Sequence, residues 1–257
     1  MKVTINMSSP NYRNISLEDH EGIRIVTIRR ENSLNPLNLD TLEEIEDAVR
    51  ESGKVVVLKG SEKAFSAGAD INNFLDMSDR DAFHFSDRGQ QVMDSISDYE
   101  RPVIAAVHGY ALGGGFELAL ACDFRISDVK TKYGFPEVNL GIMPGFGGTQ
   151  RIIDIAGKSY GMYLVMTGKT IDEQEALKHG IVDSVSEKYL DLAIELAKEL
   201  SEKPATSIRY IKEVMNRRDK EGYMMERERF ALTFKTEDHL EGIRAFKEKR
   251  KAVFKGK

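Results

Sequence analysis

The pattern of apolar residues along this chain changes near residue 185, and that change constrains the fold more than any single motif. Before this point, short apolar runs typical of strands alternate with amphipathic runs typical of helices. Two of the short runs, KVVVLKG over 54–60 and PVIAAV over 102–107, are expected to be buried strands. The alternation predicts an α/β core.

From Ser186 onward, every run has helical spacing. The first of them, SEKYLDLAIELAKELSEK, has a wide apolar face, and Pro204 is expected to end it. The sequence therefore predicts an α/β core over residues 1–185 and a helical C-terminal subdomain over residues 186–257.

The composition limits the class of protein. The chain has 257 residues, of which 41% are hydrophobic, enough to bury a full core. A net charge of −5 argues against a general attraction to nucleic acid or to an anionic membrane. Cys122 is the only cysteine, so no intrachain disulfide forms. No apolar run reaches about 18 residues and no signal peptide is recognisable, so we expect a cytoplasmic protein.

The stretch GYALGGGFELALACD places three consecutive glycines before an apolar run that contains one carboxylate. The glycines form either a tight turn that packs a helix against a strand, or a helix start whose N–H groups receive a ligand oxygen. This stretch alone slightly favours the turn. The helix macrodipole is sufficient to explain Glu117. However, its apolar neighbours indicate a buried helix, where a carboxylate requires a partner or a function.

Two further loops carry candidate functional groups. In YGFPEVNLGIMPGFGGTQRI, Glu137 follows a proline among apolar residues, and the final glycines predict a helix start because no phosphate-binding motif is complete. In GSEKAFSAGADINNF, residues 67–70 form either a capped turn or a second set of free N–H groups. No spacing of His and Cys indicates a metal. Two carboxylates among glycine-rich loops indicate proton transfer next to a carbonyl group.

Three segments together, KAFSAGADI, GYALGGGFELALACD and PEVNLGIMPGFGGTQR, resemble the enoyl-CoA hydratase/isomerase (crotonase) superfamily in order and spacing. The resemblance covers almost the whole chain. It implies an α/β fold, a crotonase-like spiral of repeated ββα units with a helical C-terminal subdomain that mediates assembly into a homotrimer or homohexamer. It also implies an acyl-CoA thioester substrate. No separate cofactor is expected, since coenzyme A is part of the substrate, and no metal.

The resemblance also implies roles for individual residues. The N–H groups of Ala69 and Gly114 match the oxyanion hole that receives the thioester oxygen. Glu137 matches the main proton donor to the α-carbon, and Glu117 matches the group that orients and deprotonates the water. The residues in the loop that lines coenzyme A are Ala67, Asp70, Ile71 and Asn72.

Both glutamates are retained, so the resemblance favours reversible syn hydration of a trans-2-enoyl-CoA to a 3-hydroxyacyl-CoA. An enoyl-CoA isomerase, or a 3-hydroxyacyl-CoA dehydratase that uses the same site in reverse, is the alternative. An RNA-binding or a non-catalytic member is less favoured, because the chain is acidic and keeps both glutamates. The acyl-chain length stays open.

Three positions depart from the family pattern where contacts to coenzyme A are expected. Ser33 and Asn72 stand where many members have a basic group, and Pro36 replaces an alanine. The basic tail over residues 242–257 either compensates with phosphate contacts or is a solvated helix end favoured by the macrodipole.

Overall fold

The chain is described here by a computed structural model. It describes residues 12–30, 34–71, 74, 76–217 and 220–257. Two positions named above, Ser33 and Asn72, lie outside the described residues.

The strands of the described residues form two sheets. They are β1 (Ile15–His20), β2 (Ile23–Ile28), β3 (Val55–Gly60), β4 (Val103–Val107), β5 (Tyr110–Leu112), β6 (Phe124–Ser127), β7 (Lys132–Gly134), β8 (Thr170–Asp172) and β9 (Ser184–Val185). The main sheet has the order β1-β2-β3-β4-β6-β9, with β1 and β2 antiparallel and all other neighbours parallel. The smaller sheet has the order β5-β7-β8.

Helices follow or precede most of these strands. They are α1 (Leu39–Arg50), α2 (Asp79–Ser97), α3 (Gly114–Ala121), α4 (Gly148–Ala156), α5 (Lys158–Thr167), α6 (Glu173–Lys178), α7 (Tyr189–Ser201), α8 (Ala205–Met215), α9 (Lys220–Thr233) and α10 (Glu237–Glu248). A short 3₁₀ helix covers Pro136–Leu140. In the described ranges, no helix combines the length and the apolar composition needed to cross a bilayer.

The central strands of the main sheet are buried on both faces. On β3, Val56 and Leu58 belong to the larger apolar cluster, which α1, α2 and α3 complete. Val57 points to the other face, where Ala193 and Ala197 of α7 cover it. A strand that is buried on both faces has a continuous apolar sequence. The predictions of buried strands over 54–60 and 102–107 are therefore confirmed by β3 and β4.

The helical pattern predicted from Ser186 onward is also confirmed, since α7 to α10 are the only regular elements described after β9. Helix α7 ends at Ser201, and Pro204 stands at the N-cap of α8. The division into units of residues 1–185 and 186–257 stays a prediction. Helix α7 packs directly on the sheet of the first unit.

Parallel pairing of β3 and β4 brings the loops that follow them to the same edge of the sheet. The N–H of Ser66 donates to the carbonyl of Tyr110 at 3.0 Å, and the N–H of Leu112 donates to the carbonyl of Ser66 at 3.0 Å. On the other side, the N–H of Leu37 donates to the carbonyl of Gly68 at 2.8 Å. The loop after β3 is thus fixed beside β5, directly before α3.

Helix α1 begins differently from the sequence prediction. The spacing of Asp40 and Glu43 predicts a capping box, but the N-cap is Asn38, whose side chain accepts from the N–H of Thr41 at 3.0 Å. The cause is tertiary: Leu37 is fully buried and bridged to Ala69, so the chain turns into the helix immediately after it. Asp40 lies inside the first turn, where the macrodipole favours it.

The cap assignment predicts a difference between two alanine variants. We expect Asn38→Ala to lower the free energy of unfolding by about 1 kcal/mol, because it removes the N-cap acceptor. Asp40→Ala should lower the free energy of unfolding by only about 0.3–0.5 kcal/mol, because it removes a favourable negative charge from the first turn. Urea denaturation of both variants measures this. A larger loss for Asp40→Ala would show that the cap is misassigned.

Candidate active site

The three consecutive glycines lie at the start of α3, where other groups approach the backbone closely. Gly113 has a φ of 49°, and a Cβ there would lie 2.9 Å from Oε1 of Glu137. A Cβ on Gly115 would lie 2.4 Å from the carbonyl oxygen of Ser66. A side chain is therefore sterically excluded at Gly115 and strained at Gly113, where φ is positive. The glycines form the turn into α3, and a ligand role for their N–H groups stays a prediction.

The backbone of Ala69 lies close to this helix start. Gly114 is the first residue of α3, where N–H groups have no partner within the helix. Ala69 forms a parallel β-bridge with Leu37. In this bridge the N–H of Leu37 donates to the carbonyl of Gly68, and the N–H of Asp70 donates to the carbonyl of Leu37. The N–H of Ala69 itself therefore points away from Leu37. A Cβ on Gly114 would lie 3.5 Å from the nitrogen of Ala69, so the two backbone segments are as close as a shared oxyanion site requires.

Glu117 lies in the first turn of α3, and every residue of this helix is buried. Its side chain is 1% exposed. Oε1 accepts from the N–H of Phe146 at 2.8 Å and from the N–H of Gly148 at 2.7 Å. Gly148 begins α4, and a Cβ there would lie 2.7 Å from Cγ of Glu117. The glycine-rich entry of α4 therefore supplies the partners of this buried carboxylate.

Glu137 lies on the 3₁₀ helix that Pro136 opens, and its Oε1 approaches Gly113. It is 9% exposed, and among the described residues its buried Oε2 has no hydrogen-bond partner. The rings of Phe116 and Phe135, with centroids 4.7 Å apart, pack behind the two acids. A buried oxygen without a partner is costly unless a ligand or a proton satisfies it.

The two carboxyl groups have shifted pKa values for partly different reasons. Burial raises the pKa of Glu117 to about 7, while the N–H groups of Gly148 and Phe146 and the charge of Arg151 oppose this shift. Burial also raises the pKa of Glu137 to about 7, its own backbone N–H opposes the shift, and the negative charge of Glu117 adds to it. Such groups can both accept and donate a proton near neutral pH.

The loop predicted to line coenzyme A lies beside the two N–H groups. The N–H of Ala67 donates to the carbonyl of Leu34 at 2.9 Å, and Ile71 is 53% exposed. Asp70 forms an ion pair with Arg30 at 3.0 Å, so its carboxylate stabilises the loop. Asn72 lies outside the described residues.

Sequence reasoning missed two groups of residues. Arg30 donates to the carbonyl of Pro36 at 2.8 Å in addition to pairing with Asp70. Its position shortly after β2 was the one sequence feature that could have identified it. Phe146 and Arg151 were interpreted only as part of a helix entry. Arg151 donates to the carbonyl of Phe146 at 2.9 Å and thereby fixes the backbone that binds Glu117.

A cavity of about 740 Å³ lies elsewhere, between α2, α3, α4 and α8. Neither glutamate lines it, and the ion pair of Lys212 and Asp123, at 2.7 Å, is on its wall. Within the described residues, no cluster of three or more His, Cys, Asp or Glu residues is arranged to hold a metal ion. The chemistry of the two acids and the two N–H groups identifies the candidate site, and cavity size does not.

An α/β fold with two neighbouring backbone N–H groups and two buried acids is an arrangement suited to proton transfer next to a carbonyl group. The family model for enoyl-CoA hydratase/isomerase matches residues 18–257, and the chain belongs to this family.

Individual relatives agree over nearly their full length. The chain is 42% identical over 255 residues to a crotonyl-CoA hydratase of Syntrophomonas wolfei, covering 95% of this chain and 98% of the relative. It is 38% identical over 250 residues to a short-chain-enoyl-CoA hydratase of Clostridium acetobutylicum, covering 93% and 96%. The crystal structure of an enoyl-CoA hydratase from Bacillus anthracis superposes with a TM-score of 0.89 at 36% identity, covering 95% and 100%. The predicted crotonase-like fold is confirmed.

The raised pKa of Glu137 predicts a pH-dependent stability difference. Between pH 4.5, its ordinary pKa, and about 7, the folded state binds more protons than the unfolded state, so stability falls as the pH rises. Glu137→Gln removes this loss. We therefore compare the unfolding free energy of the variant with that of wild type at each pH. The variant minus wild-type difference should be about 1–2 kcal/mol more favourable at pH 8 than at pH 4.5.

Urea denaturation at the two pH values measures this gain, and the exposed Glu51→Gln provides the control. If the difference between Glu137→Gln and wild type does not depend on pH, the pKa of Glu137 is not raised.

Proposed function

We propose that this protein is an enoyl-CoA hydratase, which reversibly adds water to a trans-2-enoyl-CoA to give a 3-hydroxyacyl-CoA. One observation carries the proposal: two buried glutamates with pKa values near neutral lie beside the N–H groups of Ala69 and Gly114. The names of the curated relatives support the same activity.

The different environments of the two acids support different roles. Glu117 accepts two backbone hydrogen bonds, which stabilise its ionised form. Glu137 has a buried oxygen without a partner and is close to the charge of Glu117, which favours its protonated form. A pair that shares one proton therefore holds it on Glu137. Glu117 is then the base and Glu137 the acid.

The reaction follows from this distribution of charge. The thioester oxygen accepts hydrogen bonds from Ala69 and Gly114, and a water molecule lies between the acids. Glu117 takes a proton from the water while the oxygen of the water bonds to the β-carbon. The electrons of the carbon–carbon double bond shift toward the thioester, which becomes an enolate with its negative charge on the thioester oxygen. The enolate then takes the proton of Glu137 at the α-carbon. Exchange with solvent returns the pair to its starting protonation state. Loss of one oxyanion donor typically costs about 10²–10³ in rate.

The assembly and location follow the same proposal. Exposed apolar side chains on α9, on α10 and in the turn between them, among them Phe230, Phe246 and Phe234, support a homotrimer or homohexamer in which copies of the chain cover them. Coenzyme A enters as part of the substrate, so the reaction needs no separate cofactor and no metal. We place the protein in the cytoplasm.

A short acyl chain fits the aromatic residues beside the oxyanion hole. Ring centroids of Phe74 and Phe85 are 5.6 Å apart, and those of Phe85 and Phe146 are 5.1 Å apart. The ring of Phe146 comes within 3.1 Å of a Cβ built on Gly114. A thioester oxygen bound at Gly114 therefore leaves the first acyl carbons next to Phe146, and a longer chain meets this aromatic wall. The relatives named for crotonyl-CoA and short-chain substrates support the same length.

The roles of the acids predict the effect of two variants. We expect Glu137→Gln and Glu117→Gln each to fold and to lose about 10²–10⁴ in kcat for crotonyl-CoA hydration, because each removes a general acid or base. The exposed Glu195→Gln is the control. Following the loss of enoyl thioester absorbance measures the rate. Near wild-type activity in Glu137→Gln would overturn its assignment as the proton donor.

The aromatic wall predicts a change in chain-length preference. In Phe85→Ala, we expect kcat/KM for 2-decenoyl-CoA relative to crotonyl-CoA to rise about 10-fold or more, because the ring no longer blocks the added methylenes. Phe83→Ala removes the same side chain from the same helix at a position that is 69% exposed. If the ratio of the two kcat/KM values is the same in Phe85→Ala and Phe83→Ala, Phe85 does not determine the acyl-chain length.

A further inference from the structure

Helix α2 contacts the backbone that holds Glu117. Ser86 and Gln90 are one turn apart, and both donate to the carbonyl oxygen of Gly145, from Oγ at 2.5 Å and from Nε2 at 3.0 Å. Gln90 also donates to Oγ of Ser86 at 3.3 Å. The carbonyl of Gly145 therefore has two side-chain donors on one helix face.

The same peptide group contacts the active site from its other end. The carbonyl of Gly145 and the N–H of Phe146 belong to one peptide unit, and that N–H donates to Oε1 of Glu117 at 2.8 Å. Hydrogen bonds in a chain polarise one another, by about 10–30% per bond. Donors at the oxygen of a peptide therefore strengthen its N–H as a donor. A continuous path runs from Ser86 and Gln90 through this peptide to the carboxylate.

Packing from α2 holds the peptide in the orientation that this path needs. A Cβ on Gly89 would lie 2.1 Å from Cδ1 of Phe146, so the ring lies directly over the bare backbone of the helix. Phe85, one turn before Gly89, contacts the other part of the ring, with centroids 5.1 Å apart. The peptide between Gly145 and Phe146 is therefore held by hydrogen bonds at its oxygen and by packing at its side chain.

We propose that Ser86 and Gln90 are positioning residues that act through the peptide between Gly145 and Phe146 to stabilise the ionised form of Glu117. They touch neither the reacting atoms nor Glu117 itself. Their effect on rate rests on the proposed hydratase function. Their effect on the ionisation of Glu117 does not.

Other charged groups also lie near Glu117, and the kinetic test leaves them in place. Arg151 on α4 contributes a positive charge and donates to the carbonyl of Phe146. Asp94 on α2 pairs with Arg151 at 2.5 Å. Glu137 on the 3₁₀ helix interacts electrostatically with Glu117.

The test is the pH profile of kcat/KM for crotonyl-CoA in Ser86→Ala and Gln90→Leu. A weaker N–H donor raises the pKa of Glu117, so this base stays protonated to a higher pH. We expect the acidic limb to move up by about 0.5 pH unit in Ser86→Ala and less in Gln90→Leu. We also expect kcat at neutral pH to fall about 2–3-fold, as the smaller ionised fraction of Glu117 requires, with KM nearly unchanged. Ser86→Thr keeps the hydroxyl and should restore the wild-type profile.

Two control variants on the same helix match these changes. Ser95 has a buried Oγ without a partner among the described residues, so Ser95→Ala removes a hydroxyl outside the path. Gln91 binds Asp87 on the exposed side, so Gln91→Leu removes an amide there. Both should keep the wild-type profile. An unmoved acidic limb in Ser86→Ala and Gln90→Leu, or a loss of rate in Ser86→Ala that Ser86→Thr does not restore, overturns the proposal.

A second measurement separates this proposal from the proposed function. Carbon-13 NMR titration of labelled glutamate in the Glu137→Gln protein follows the ionisation of Glu117 without any turnover. With Ser86→Ala added, the titration midpoint should rise by about 0.5 pH unit. An unchanged midpoint rejects the positioning role even if the enzyme is active. A raised midpoint supports it even if the protein hydrates no enoyl-CoA.

Discussion

The carboxylate of Glu117 is buried in a helix that is apolar on every side, and the backbone N–H groups of Phe146 and Gly148 are its hydrogen-bond partners. A buried charge without partners is unfavourable by several kcal/mol or becomes neutral. The start of α4 must therefore lie against the start of α3. Gly148 can have no side chain there, and Gly89 must leave room for the ring of Phe146. The whole polar side of the site depends on this one contact.

The two acids share burial but differ in their hydrogen bonds, and this difference separates their chemistry. Glu117 has backbone partners, whereas the buried Oε2 of Glu137 has none among the described residues. Both pKa values lie near 7, so small differences in hydrogen bonding decide which acid keeps the proton. The 3₁₀ helix of Pro136–Leu140 carries Glu137, and the first turn of α3 carries Glu117.

Local patterns were sufficient where a residue's neighbours in sequence are also its neighbours in space. The continuous apolar runs of β3 and β4 and the amphipathic run of α7 predicted these elements correctly. The N-cap of α1 was wrong, because the bridge between Leu37 and Ala69 decides where that helix begins. The contact of Ser86 with Gly145 joins residues 59 positions apart, and no periodicity signals such a pair.

The alternation of strands and helices, the glycine-rich helix starts and the two acids among apolar residues could all be predicted from the amino-acid order. These follow from side-chain periodicity and from the absence of a Cβ, which are local properties. Contacts between distant segments set which backbone segments lie close together, which carboxylate has partners and which helix face holds the loop of Phe146. Those properties depend on distances between segments, which parallel pairing of β3 with β4 and packing of α2 against α3 and α4 fix.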